Sequence, residues 1–103
     1  MPDAADPSGV TQLSREMGCT RAEFERWLPG AIRHAAIESA GNLHRVSTGA
    51  GIVEIHLDLR PPRRIASVEL PVLAVTFRFL GMSEAARRDF LAYFDHYTRR
   101  GGG

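Results

Sequence analysis

Between Gly51 and Leu80 apolar and polar residues alternate with a period of two, and no other feature of the chain limits its fold so tightly. Val53, Ile55, Leu57 and Leu59 interleave with Glu54, His56, Asp58 and Arg60. Successive side chains of a strand point to opposite faces, so the pattern specifies strands with one buried and one wet side. Such strands belong in an antiparallel sheet covered on a single face. Pro61-Pro62 offers no N–H to a ladder, which predicts a strand end there. Two further strands are expected, one carrying Ala66, Val68 and Leu70 as far as Pro71, the other carrying Leu73, Val75, Phe77 and Phe79 as far as Gly81.

The cover for this sheet follows directly. Ser83 is a good N-cap, and from 84 to 99 Ala86, Phe90, Tyr93, Phe94 and Tyr97 fall on one side of a helical wheel, with Glu84, Arg88, Asp95, His96 and Arg99 opposite. The aromatic stripe should pack on the face that holds Val53, Val75 and Phe77. Pairs of the type Glu84/Arg88 and Asp95/Arg99 are spaced for contacts along the helix surface. Upstream, Thr20 and Glu23 form a capping box, and Cys19 and Phe24 occupy the positions of a hydrophobic staple. Phe24, Trp27, Leu28 and Ile32 are spaced as one apolar stripe, and Pro29-Gly30 should break the helix after about two turns.

Residues 31 to 47 read either as a helix continuing after the break or as strands at 32 to 37 and 43 to 46 joined at Ala40-Gly41-Asn42; the Gly-Asn pair favours strands. Val10, Leu13 and Met17 recur at helical spacing, so residues 1 to 18 are expected to be disordered or weakly helical. Residues 19 to 100 form the single α+β domain, and Gly101-Gly102-Gly103 a flexible tail. The predicted architecture is a two-layer sandwich: an antiparallel sheet of three to five strands, a long C-terminal amphipathic helix across one face and a short N-terminal helix.

Composition removes several function classes. The chain has 103 residues with 44% hydrophobic content, enough for one core. Its one cysteine, Cys19, excludes an internal disulfide, a four-thiolate zinc site and a paired-thiol redox motif. All 13 basic residues are arginine, which removes lysine Schiff bases and the P-loop lysine and points to a GC-rich, bacterial genome. No apolar run is long enough to span a membrane and no leader pattern is visible, so a cytoplasmic location is expected. Residues 1 to 59 carry five arginines against eight acids (−3), and residues 60 to 103 eight against four (+4). That asymmetry favours anionic partners for the C-terminal half but falls short of a dedicated nucleic-acid binder.

Two residue sets invite a chemical reading. Glu54, His56 and Asp58 project from one face of one strand and are candidate metal ligands or acid/base groups; a solvated sheet face needs polar residues there in any case. Arg60, Arg63 and Arg64 around Pro61-Pro62, with Arg78, are candidate anion-binding residues, able to grip phosphate or carboxylate in pairs; ordinary surface charge is the simpler reading. The terminal Gly-Gly resembles the tail of ubiquitin-like and sulfur carriers in those residues only, and the element order does not match a β-grasp. Cys19 precedes a helix cap without an adjacent histidine, so a packed thiol is expected. No catalytic elbow, nucleotide loop or zincin motif is present, and no cofactor is implied. Ile52, Ile65, Val72, Ala74 and Leu80 make the second sheet face more apolar than a wet face requires. The sequence therefore favours a non-enzymatic interaction module, homo-oligomeric or bound to another protein. An anion- or RNA-binding protein using the arginines comes next, and an enzyme on the Glu54/His56/Asp58 face third.

Overall fold

A computed structural model describes residues 10–99 of the chain. The expectations for residues 1 to 9 and 100 to 103 lie outside the described residues. The elements run β1 (Val10–Met17), α1 (Arg21–Ala31), β2 (Ala36–Ala40), β3 (Leu43–Thr48), β4 (Gly51–Ile65), β5 (Val68–Leu80) and α2 (Glu84–Arg99). All neighbouring strands are antiparallel, in the order β1-β5-β4-β3-β2. The class is α+β, with five strands and the long C-terminal helix.

Side-chain parity organises the sheet. Val53, Ile55 and Leu57 of β4 and Leu73, Val75, Phe77 and Phe79 of β5 are buried, while the residues between them are not. Into that side the two helices send Phe24, Leu28 and Phe94, and one buried cluster joins them all. The five phenylalanines of the chain form a single ring network. Phe77 meets Phe94 edge-on at 5.2 Å and Phe90 at 6.3 Å, Phe79 meets Phe90 at 5.9 Å, and Phe24 closes on Phe94 at 5.9 Å. Perpendicular arrangements set positive ring edges against negative faces and add about 0.5 to 1.5 kcal/mol per pair beyond area burial.

Helix α1 opens as its sequence dictates: the Thr20 hydroxyl accepts from the Glu23 N–H at 3.1 Å and the Glu23 carboxylate accepts from the Thr20 N–H at 2.9 Å. It does not stop before Pro29. The proline removes one rung, but Leu28, Ala31 and Ile32 are buried, and their packing carries the helix to Ala31. Gly30 serves a contact instead of a break, since a Cβ there would lie 2.2 Å from the Tyr97 hydroxyl. The chain then turns through Arg33 and His34, both at positive φ, so residues 32 to 35 are not strand, whereas the β2–β3 hairpin around Gly41-Asn42 is as expected.

Two corrections matter more. Val10–Met17 is a strand and not a helix, pairing along β5 from Val10↔Leu80 to Met17↔Leu73. And Pro61-Pro62 does not end β4, nor does Pro71 end the strand before it. The register passes from Arg60↔Val72 to Arg63↔Leu70, so Pro61 and Pro62 lie opposite Pro71 in a bulge. Prolines concentrated at one level interrupt the ladder once, where an irregularity needs no donors. Three expected strands become one long hairpin closing at Ile65↔Val68.

The hairpin outruns its neighbours. β3 pairs with β4 only as far as His56, and β1 with β5 only as far as Leu73. Residues 59 to 70 have just each other for a ladder and form a projecting, exposed arm. Its turn sets Ala66 at φ 54, a conformation that costs a residue with a Cβ about 1 kcal/mol. Ala66→Gly is expected to stabilise the arm by about 0.5 kcal/mol after the entropy cost of glycine, read as slower amide exchange at Ile65 and Val68; faster exchange would show that the turn is not left-handed at this position.

Candidate functional site

The helix-free side of the sheet carries Glu54, His56, Asp58, Arg60, Arg63 and Arg78, whereas Arg64, next to Arg63 and paired with Glu69, points to the opposite side. Registers place Gln12, Arg78, Glu54, Arg45 and Glu38 in one row across the five strands. Glu54 sits between two guanidinium groups, accepting from Arg78 at 3.1 Å and Arg45 at 3.3 Å, with its side chain only 13% exposed. Its oxygens are thereby committed to a charge ladder. His56, exposed, faces Thr76, and Asp58 lies 3.7 Å from Arg60. Among the described residues no three His, Cys, Asp or Glu side chains are grouped to hold a metal ion.

The four arginines do not converge. Arg60, Arg63 and Arg64 are on the arm, whereas Arg78 lies eight residues along β5 from the partner of Arg63, about 27 Å at strand rise. Each also has an acid: Asp58 at 3.7 Å for Arg60, Glu16 at 3.6 Å for Arg63, Glu69 at 2.8 Å for Arg64 and Glu54 for Arg78. Asp95 is engaged by Arg15 of β1 rather than along its own helix, and Arg15 also lies over the Phe77 ring at 5.4 Å. That exposed charges bring little stability does not alter their effect here, which is to leave no bare cationic patch among these four.

A different cluster was not legible as a group. Glu25 of α1, Ser39 of β2 and His44 of β3 meet at the hairpin. His44 is 6% exposed; its Nδ1 lies 2.6 Å from the Ser39 hydroxyl and its Nε2 3.0 Å from the Glu25 carboxylate. Arg21 donates to Glu25 at 3.0 Å and also reaches the Gly41 carbonyl at 2.6 Å and the Asn42 side chain. The Arg21 hydrogen bond, assisted by His44, holds the Glu25 carboxyl below its ordinary range. Once Gly41-Asn42 is recognised as a two-residue turn, residue 39 must oppose residue 44; the approach of Glu25 has no sequence signal. Cys19 is buried, and burial together with the Glu23 charge pushes its thiol up to about 11, so it is packed and unreactive at neutral pH.

One apolar groove of about 400 Å³ opens between the end of α1, the β3–β4 turn and α2, with Ala31, Ile32, Ala35, Met82, Ala86 and Phe90 in its lining. At its rim Arg33 stacks on Tyr93 at 4.3 Å and faces Asp89 at 3.7 Å. Compared with known proteins, the chain matches no family model, no curated protein and no solved structure. No described helix is long and apolar enough to cross a membrane.

Because the folded-state pKa of Glu25 is depressed, its stabilisation is fully present above the ordinary value of 4.5 and fades as pH falls through the lower folded value. Glu25→Gln should therefore lose less stability than the parent chain between about pH 5 and pH 3, followed by urea unfolding across that range. Parallel profiles would mean that Glu25 is not held by Arg21 and His44.

Proposed function

We propose that the chain is a protein-interaction module, a bacterial cytoplasmic two-layer sandwich that assembles with a second copy of itself through the β4–β5 arm. One observation carries this reading. Among the described residues the large apolar side chains left exposed, Leu59 at 67%, Ile65 at 56%, Val68 at 54% and Leu70 at 42%, are all on the arm. A two-stranded ribbon is marginal in water by itself, and Ile65, Val68 and Leu70, which share one side of it, make an apolar surface of the kind that marks a contact.

Complementarity favours a second copy as the partner. The same chain carries a projecting apolar tip and, on its body, an apolar groove of about 400 Å³, so two molecules can exchange arms reciprocally around a twofold axis. The anion-binding reading is less well supported, because Arg60, Arg63, Arg64 and Arg78 each face a carboxylate. A metal-dependent or acid/base enzyme on Glu54, His56 and Asp58 has still less to stand on, with Glu54 locked between two arginines.

Light scattering at micromolar concentration is expected to return a dimer. Val68→Glu with Leu70→Glu should raise the dimer Kd at least tenfold, about 1.4 kcal/mol, and Ala86→Trp, which fills the groove, should do the same. A monomer throughout, or a dimer indifferent to both changes, would refute the proposal; retention of an oligonucleotide that weakens with salt would instead favour the arginine reading.

A further inference from the structure

We propose that Ser39 is a nucleophile able to accept an acyl group, with His44 as its base and Glu25 as the group that orients the base and stabilises the imidazolium it becomes. The cluster has the three links such chemistry needs: nucleophile to base, base to acid, and an acid kept ionised. The Ser39 hydroxyl is 2.6 Å from His44 Nδ1, His44 Nε2 is 3.0 Å from Glu25, and Arg21 donates to the same Glu25 oxygen at 3.0 Å. An ionised carboxylate can only accept, so in the neutral imidazole the proton sits on Nε2 and Nδ1 is the bare nitrogen. The Ser39 hydroxyl therefore donates to Nδ1, the arrangement from which a base removes a proton.

The hairpin supplies the remaining part. Ala40 and Leu43 close the two-residue turn and Ser39 faces His44 in the next pair. Hydrogen-bonded and non-hydrogen-bonded pairs alternate, so the Ser39 N–H points away from β3, toward the open edge of the sheet where β2 is the last strand. An oxyanion formed at the Ser39 acyl carbon has that N–H within reach. His44 is 6% exposed whereas Ser39 is exposed, so a reagent meets the nucleophile while the base stays dry and fixed.

In the step, the Ser39 oxygen bonds to the carbonyl carbon of an activated acyl donor, an aryl ester or thioester, as its proton passes to Nδ1. The imidazolium is held by Glu25. Collapse of the tetrahedral adduct breaks the bond to the leaving group, which departs with the proton from His44, and leaves an ester on Ser39. None of the described grooves is lined by Ser39, so small acyl groups with good leaving groups are the matching substrate class. This inference is independent of the arm.

The test uses the full chain with p-nitrophenyl acetate, following nitrophenolate release and the intact mass. The chain has no lysine, which removes the usual competing amines. A stoichiometric burst with one acetyl group mapped to Ser39 is expected. Ser39→Ala, an exposed change that leaves the fold intact by circular dichroism, should abolish it, and His44→Gln should slow it by about 100-fold or more and remove its pH dependence. No acetyl on Ser39, or a burst unchanged in Ser39→Ala, would overturn the proposal; so would an unchanged rate and pH profile in folded His44→Gln.

Discussion

The network of five phenylalanine rings is the contact on which the rest of the molecule depends. Phe77 and Phe79 are fixed on one side of β5 by strand parity, Phe90 and Phe94 by one turn of helical spacing on α2, and Phe24 by the capped start of α1. The edge-to-face meeting of Phe94 with Phe77 constrains both distance and rotation and so sets the roll of α2, and the tilted contact of Phe94 with Phe24 docks α1 against it. With those settled, β1 is held where Arg15 can lie over Phe77 and reach Asp95. The Glu25, Ser39 and His44 cluster depends on the same docking, because α1 is what brings Glu25 to the hairpin.

A body organised this way leaves the distal hairpin outside it. Placing Pro61 and Pro62 opposite Pro71 interrupts the ladder at the level where β1 and β3 have already ended. Beyond that level Ile65, Val68 and Leu70 stay exposed among the described residues. Both halves of the proposed assembly, tip and groove, thus come from one arrangement: a β4–β5 hairpin that outruns β1 and β3, and small side chains at Ala31, Ala35 and Ala86 lining the groove.

Period-two patterning announced β4 and the body of β5, and the spacing of Phe90, Phe94 and Tyr97 announced α2, because burial alone decides those positions. β1 was hidden for a physical reason. Its core-facing residues are Thr11, Leu13, Arg15 and Met17, and two of the four are polar. The Asp95 carboxylate and the Phe77 face make Arg15 acceptable on that side, a compensation that local sequence does not reveal, while Val10, Leu13 and Met17 imitate a helical repeat. The prolines misled in a related way: each forbids a ladder bond at its own position, but only the register shows that Pro61, Pro62 and Pro71 share one level. Glu54, His56 and Asp58 do share a face, yet sequence could not say that Arg45 and Arg78 would take both oxygens of Glu54.

Aromatic ring-proton NOEs in solution test the organising contact most directly. The account predicts strong cross-peaks from the Phe94 ring to Phe77 and to Phe24, and from Phe90 to Phe79. Rings of Phe90 and Phe94 that show contacts only within α2, with no cross-peak to the sheet or to α1, would contradict it.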